Sequence, residues 1–554
     1  MIWDYLIVGA GAAGCVLANR LSAGGKSVLL LEAGRDTPPG SVPDDIEDLH
    51  PRSYANTDYQ WPHLRARMGA NVGGGRTISY QQGRIMGGGG SIMGMVALRG
   101  APEVYDGWGL PGWSSQELLP YFKKCETDQD FGGEIHGKSG PINIKRHFAE
   151  EWPAFNRAVL EAAKDNGTPY LPDLNSNFDD ACGPYPLSNT AVRVNSASAY
   201  LDAKTRQRPN LKIECDTHVE QLRFEGTRCS GVTAICNGVR STHEARRVIV
   251  SSGGIHSPAV LLRSGVGPAD ELNKLGIPVI ADVPGVGRNL MNHPVCYLAA
   301  HLKPEARQSP NLRAQFITGY RFSTGVDPAV RAEMQMMVMN KSSWHGVGYG
   351  IAALGVILNH PMSRGAVTLK SPDPQQTPDV DFAFFTHPED RQRMIRGMAR
   401  AVSLMSHPAV RAVRHEMFAQ GYSEWVRRLN EPALINTTIS KVLAGILDGP
   451  EWMRKTALDQ LIKVGVTDEA VMKTEAWQDA MVTERTFSTY HPAGSCKMGL
   501  DSDPTAVQDA RCNVRGVQGL SVVDCSAMPR VSRCNTHLPT VMVAERAADF
   551  LLEV

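Results

Sequence analysis

The chain has 554 residues, too many for one compact core, so two domains or one elaborated double domain is expected. With 42% hydrophobic and 21% charged residues, it has the composition of a folded globular protein rather than a disordered or fibrous one. Lys plus Arg and Asp plus Glu each number 57, so no net field draws the chain onto nucleic acid or anionic lipid.

Met1-Ile2-Trp3-Asp4 runs straight into Tyr5 to Val8 without a basic lead or a cleavage site, which predicts a cytoplasmic protein. Residues 4 to 32 read as strand, glycine turn, helix and strand. Asp4 to Val8 supplies the apolar run, Ala12 to Ser22 sets Val16, Leu17 and Leu21 on one helical face, Gly24-Gly25 stops the helix, and Lys26 to Leu31 follows as a strand. The turn Gly9-Ala10-Gly11-Ala12-Ala13-Gly14 is G-x-G-x-x-G placed between strand and helix. Gly9 permits the tight turn, Gly11 lets backbone approach a pyrophosphate, and Gly14 allows close packing of helix on strand. Glu32, 18 residues past Gly14, is placed to accept hydrogen bonds from ribose hydroxyls. These features predict a bound dinucleotide; the motif does not separate FAD from NAD.

Residues 37 to 115 are dense in Gly, Pro and Tyr and read as a long ordered loop region. Within it lies Gly87-Gly88-Gly89-Gly90-Ser91, where residues without Cβ let backbone pass at contact distance from a flat or charged ligand. Strands are expected at Arg247 to Ser252 and at Leu520 to Asp524. If these share a sheet with residues 4 to 32, the domain is discontinuous. The longest uncharged apolar stretch, Gly346 to Leu358, is too short to span a membrane. Strands are also expected at Ala366 to Leu369 and Asp379 to Phe385, then a helix at Arg391 to Ser406 with Arg391, Arg393, Arg396 and Arg400 on a solvated face.

Eleven cysteines without a C-x-x-C pair read as reduced, mostly buried thiols, and no metal site is expected. No G-x-S-x-G occurs, which disfavours an α/β-hydrolase. Two loop segments each combine His with Pro: Tyr490-His491-Pro492-Ala493-Gly494-Ser495 and Asn535-Thr536-His537-Leu538-Pro539-Thr540. An imidazole can accept a proton from an alcohol or hydrogen-bond an alkoxide, although either His alone is more often structural.

Together the segments Asp4 to Gly34, Gly83 to Gly100, Gly253 to Gly267, Gly285 to His293, Tyr490 to Gly499 and Gly519 to Asp549 resemble the glucose-methanol-choline (GMC) oxidoreductases, FAD enzymes that oxidise alcohols. The texture is similar to that of the family's hydroxymethylfurfural and aryl-alcohol oxidases and its choline dehydrogenases. The resemblance implies an α/β fold with an α+β part: a discontinuous Rossmann-like FAD domain (1–160, 205–300 and 505–554) and an inserted substrate domain on an antiparallel sheet with helices (161–204 and 301–504). It implies that Gly9, Gly11, Ala12, Ala13 and Gly14 hold the pyrophosphate, Glu32 and Ala33 the adenosine ribose, and Val219 the adenine. Trp61, Gly89, Met93, Gly94, Met95 and Val96 would line the flavin, with Tyr490 beside it and Asp524 and Cys525 near the ribityl chain. His491 matches the family's catalytic base, and His537, 46 positions later, its His-or-Asn partner.

Three departures stand out against the family: Met93 where Asn is usual, Gly254 where Ala is usual and Asn292 where Asp is common. Ile92 occupies the place where covalently flavinylated members carry His, so non-covalent FAD is expected. The implied substrate is a primary alcohol, favoured as an aromatic or heteroaromatic hydroxymethyl compound with choline or an aliphatic alcohol as the alternative within the family, and O2 or a quinone or dye-type acceptor takes the electrons. A nicotinamide dehydrogenase, a flavin-containing hydroxynitrile lyase and a non-catalytic flavin-binding protein are the alternatives.

Overall fold

The apolar run Tyr5 to Val8 ends a strand, Ile2–Val8, whose last four residues are buried. It pairs in parallel with Val28–Leu31 on one side and with the second half of Val239–Val250 on the other. Strands covered on both faces read as continuous apolar runs, which is why these segments show no alternation. The structure is a computed structural model that describes residues 1–69, 75–419, 429–431, 433–462 and 467–553.

The first sheet runs Thr217–Glu225, Arg228–Cys236, Val239–Val250, Ile2–Val8, Val28–Leu31, Leu211–Glu214, and Leu520–Val522 adds in parallel beside Val239–Val250. Strands from the start, middle and end of the chain therefore share one sheet. Tyr5 and Ile7 face the helices Ala12–Ala23 and His537–Leu552, whereas Leu6 and Val8 face the helix Gly253–Arg263. Helices on both faces of a mainly parallel sheet are the doubly wound arrangement.

A second, antiparallel sheet runs Arg414–Ala419, Pro294–Leu302, Ile351–Leu358, Met334–Met339, Phe316–Phe322, Ala181–Pro184, with Phe487–Ser488 beside Pro294 and Val295. The apolar stretch Gly346 to Leu358 is explained here: Ile351–Leu358 is a central strand buried at every position. The helix Pro388–Ser406 packs on it at Gly397, where a Cβ would meet Met334 and Val356 at 2.7 and 2.8 Å. Among the described residues no helix is long and apolar enough to cross a membrane.

Several local expectations need correction. Residues 37 to 115 carry short elements, including the strand pair Arg65–Met68 and Arg76–Ser79, which joins Ala366–Thr368 and Asp379–Asp381 in a four-stranded sheet. The strand expected over Asp379 to Phe385 stops at Asp381, because Ala383 and Phe385 take positive φ (47° and 65°). The arginines of Pro388–Ser406 do not form one solvated face. Arg393 is 1% exposed and pairs with Glu389 and Asp390, while Arg391 pairs with Asp479.

All eleven cysteines are free thiols, and eight are buried. A buried ion network ties residues 99 to 146 to Asp173. His136 meets Asp173 at 2.8 Å and Asp128 at 3.0 Å, Arg146 bridges the same two carboxylates at 2.8 and 2.9 Å, and Arg99 pairs with Glu126. The two guanidinium groups and the His136 imidazolium balance the carboxylates of Glu126, Asp128 and Asp173, so the cluster reads as ion pairing rather than a metal centre.

Candidate active site

A cavity of about 630 Å³ runs from the end of the first sheet to the inner face of the second. Its first stretch is built by the glycine turn. Gly9 has φ +98°, and a Cβ there would lie 2.8 Å from the Ser251 carbonyl oxygen. A Cβ on Gly14 would lie 2.0 Å from the Gly9 oxygen, so Gly14 acts in packing and does not line the cavity. Gly11 is the N-cap of the helix Ala12–Ala23 and supplies no side-chain cap. The first backbone N–H groups of that helix are thus free to meet an anion beside Gly11, Ala12 and Ala13.

Glu32 and Ala33 line the same end. The Glu32 carboxylate accepts hydrogen bonds from Ala10 N–H at 2.7 Å and Gly34 N–H at 2.8 Å, and burial nevertheless pushes its pKa up to about 7. Val219 lies where the register between Thr217–Glu225 and Arg228–Cys236 slips, which frees backbone beside the cavity. Trp61 lines the cavity here. Its indole stacks on His256 with centroids 4.0 Å apart and meets His218, the neighbour of Val219, edge-on at 5.4 Å. His256 Nε2 and Gln82 Oε1 are buried against the cavity without a hydrogen-bond partner, as polar groups awaiting a ligand would be.

The second glycine cluster joins three elements. A Cβ on Gly88 would lie 3.0 Å from Gly11 Cα, and one on Gly90 would lie 3.0 Å from His537 Nε2, whereas Gly89 faces open space. Met93, Gly94 and Val96 continue the wall, but Met95 is buried away from it with its carbonyl accepting from Ser188. Buried Arg193 donates to the Met93 and Gly90 carbonyls and fixes this wall. Asp524 is held by Gly253 N–H at 2.8 Å, Ser257 Oγ–H at 2.5 Å and Ser526 N–H at 2.7 Å, and Cys525 lies beside it on the wall. An uncapped helix N-terminus, a glycine floor and unpaired buried polar atoms along one continuous cavity fit a dinucleotide such as FAD.

At the far end stand Tyr490, His491 and His537. Tyr490 has φ +63°, and its hydroxyl reaches Gln81 Oε1 at 2.6 Å and Tyr54 Oη at 2.7 Å. Asn292 Oδ1 accepts from the backbone N–H of both His293 (2.9 Å) and His491 (3.0 Å), and its amide donates to Ser488 Oγ at 2.7 Å and Tyr80 Oη at 3.2 Å. An Asp in its place could not make those two donations. His491 Nδ1 lies 3.0 Å from His293 Nδ1 and 2.9 Å from Thr489 Oγ1, and its Nε2 lies 3.4 Å from Asn535 Nδ2. His537 begins the helix His537–Leu552 and meets Ser196 Oγ at 3.1 Å through Nε2. Burial lowers His491 to about 3; burial and then Arg193 lower His537 to about 4, so both rings are neutral near pH 7.

The segment carrying His537 therefore reaches His491 through Asn535, across 44 positions of sequence. The sequence reading did not single out Arg193, Ser196, His293, Thr489 or Asn535. His293 and Asn535 stand inside quoted motifs, whereas Arg193 and Ser196 carry no local signal. The far wall also includes Tyr297, Phe316, Met337, Met339, Trp344 and Phe487, and Arg52, Arg65, Arg76 and Glu431 are among the charged residues lining the cavity.

Residues 3–295 match the N-terminal and residues 361–544 the C-terminal GMC oxidoreductase family model. The chain is 36% identical to a 5-(hydroxymethyl)furfural oxidase from Methylovorus sp. (strain MP688), over 100% of this chain and 99% of that protein. It is 31% identical to an oxygen-dependent choline dehydrogenase from Burkholderia pseudomallei, over 99% and 93%. Among solved structures, pyridoxine 4-oxidase from Mesorbium loti superposes with a TM-score of 0.81 at 26% identity, covering 99% of this chain and 98% of that one. The chain belongs to the GMC oxidoreductase family and is an FAD-dependent alcohol oxidoreductase.

Proposed function

We propose that the protein holds FAD without a covalent bond and oxidises a primary aromatic or heteroaromatic hydroxymethyl compound to its aldehyde. The observation that carries this reading is one cavity joining the G-x-G-x-x-G turn to two imidazoles that are 46 positions apart in sequence. In this reading residues 1–160, 205–300 and 505–554 hold the cofactor, and 161–204 and 301–504 shape the substrate end. Gly11, Ala12 and Ala13 would bind the pyrophosphate, Glu32 the ribose, and Val219 and Trp61 the adenine end; Gly89, Met93, Gly94, Val96 and Tyr490 would border the ring. Ile92 offers no nucleophile for attachment. When bound, the flavin supplies a two-electron acceptor for hydride from the carbinol carbon, later emptied to O2 or another acceptor.

The chain's own part is proton handling and orientation. His491, neutral because it is buried, accepts the hydroxyl proton at Nε2 while the carbinol carbon loses hydride, so the alcohol leaves as aldehyde. His537 orients the alcohol and stabilises the developing alkoxide. Aromatic and thioether groups on the far wall suit a flat apolar substrate, and Arg65 and Arg76 disfavour a quaternary ammonium.

His491→Ala is expected to keep FAD bound and to slow flavin reduction at least about tenfold, since a general base contributes roughly 10² to 10⁴. Stopped-flow bleaching at the parent rate would remove the base role. A panel of benzyl, furfuryl, pyridoxine-type, aliphatic and choline substrates, read by peroxide and by dye reduction, tests the substrate class; choline as the sole substrate would overturn it.

A further inference from the structure

We infer that His293 is the positioning residue of this site: its Nδ1 accepts a hydrogen bond from His491 Nδ1–H and fixes His491 in the tautomer whose lone pair lies at Nε2, toward the substrate. The inference rests on the reading of His491 as the base.

The assignment follows from counting protons. Thr489 Oγ1 lies 3.0 Å from the His293 carbonyl oxygen, which can only accept and also takes the Thr489 N–H at 3.1 Å; with the hydroxyl proton directed there, that oxygen carries two donors on its two lone pairs. Toward His491 Nδ1, 2.9 Å away, Thr489 Oγ1 then offers only lone pairs. That arrangement puts the proton on His491 Nδ1, directed at Thr489 Oγ1 and at His293 Nδ1, 3.0 Å away. The opposite tautomer would require the Thr489 hydroxyl proton to turn from that carbonyl to His491 Nδ1. It would also aim an Nε2–H at Asn535 Nδ2, itself a donor 3.4 Å away.

His293 is suited to accept. It is fully buried, its backbone N–H is fixed by Asn292 Oδ1, and the rings of His293 and His491 meet at 79° with centroids 5.2 Å apart. Its own proton is then on Nε2, which makes no hydrogen bond of ordinary geometry among the described residues, while the Ser532 backbone acts on the ring in the direction that favours protonation. When His491 Nε2 takes the hydroxyl proton, the resulting imidazolium still donates through Nδ1 to the lone pair of His293. The relation parallels an orienting group behind a catalytic imidazole, but with a neutral ring in the place of a carboxylate.

Long-range ¹H–¹⁵N spectra of the holoenzyme labelled at histidine nitrogen, with His491 assigned by comparison with His491→Ala, are expected to show His491 protonated at Nδ1 and bare at Nε2. His293→Leu should mix the tautomers and slow flavin reduction about 10- to 100-fold at unchanged FAD content. His293→Gln, whose Oε1 can accept from Nδ1–H, should recover most of that rate. A His491 Nε2–H in the parent spectrum, reduction by His293→Leu at the parent rate, or a Gln variant no faster than Leu would each overturn the inference. If His293→Leu fails to fold, the parent spectrum still decides. His491→Ala at the parent rate would sink the underlying reading; a slow His491→Ala beside an unaffected His293→Leu would remove only the role of His293.

Discussion

A Cβ at position 254 would stand 2.2 Å from the carbonyl oxygen of Pro492, the residue that follows His491. Gly254 also accepts from Ser495 Oγ at 2.6 Å, so the start of the helix Gly253–Arg263 and the His491 loop are locked together. The resemblance makes Ala usual at this position, and here the loop lies closer to the helix than an alanine allows. Gly254→Ala is expected to displace Pro492 and with it His491, slowing flavin reduction about tenfold or more, because a shift near 1 Å in a reacting group costs about 10². Thermal unfolding should show a loss of about 1 to 3 kcal/mol for the overpacked contact. An unchanged rate and stability would show that the loop moves freely. Residue identity told half of this beforehand: the departure from Ala was visible in sequence, but its cause is a contact across 238 positions that no local pattern encodes.

At the scale of elements, the ion network around His136 ties the short strands Glu126–Asp128 and Ile142–Lys145 to Asp173. Burial alone would depress this imidazolium, yet hydrogen bonds to Asp128, Asp173 and Glu126 outweigh it and hold the pKa at about 10. A raised pKa in the folded state contributes stability that is present below the ordinary value near 6.5 and is lost as pH rises through about 10. Denaturant midpoints should fall over that alkaline window in the parent protein and much less in His136→Ala. The same variant should lose about 3 to 5 kcal/mol at neutral pH, because it strands buried carboxylates. Elements with a strong pattern were legible: Ile2–Val8, Ala12–Ala23 and Val28–Leu31 follow from a glycine-spaced turn between apolar runs. Arg65–Met68 and Arg76–Ser79 were not, since four residues of mixed polarity give no usable period. Arg393 was misread because charge spacing on a helix does not report which face other elements cover.

For the molecule as a whole, the sheet that carries the glycine turn is completed by Leu520–Val522, and the helix His537–Leu552 packs against Ala12–Ala23. The cavity between the two sheets is long and, without a ligand, leaves polar atoms unpaired, so occupancy should stabilise the fold. Stripping FAD is expected to lower the unfolding midpoint, and adding it back should raise the midpoint with concentration, by about 2.7 kcal/mol at a hundredfold excess over Kd. A midpoint indifferent to FAD would mean that the cavity is held open by protein contacts alone. The six matching segments were legible in sequence, whereas a sheet shared by residues 4 to 32, Arg247 to Ser252 and Leu520 to Asp524 stood there only as a condition, which the pairing of Ile2–Val8, Val239–Val250 and Leu520–Val522 meets. The identity of the residues behind His491 was not legible, because they converge only in three dimensions.

Leu520–Val522 and His537 come far later in the chain than the glycine turn whose sheet and helix they complete, and this order also governs how the protein is made. A growing polypeptide still on the ribosome has its nucleotide-binding turn early, but until those segments emerge Val248 to Val250 lack their second parallel neighbour and Ala12–Ala23 lacks the helix that covers it. Prosthetic-group capture thus waits for both segments, and products terminated before Leu520 should emerge colourless.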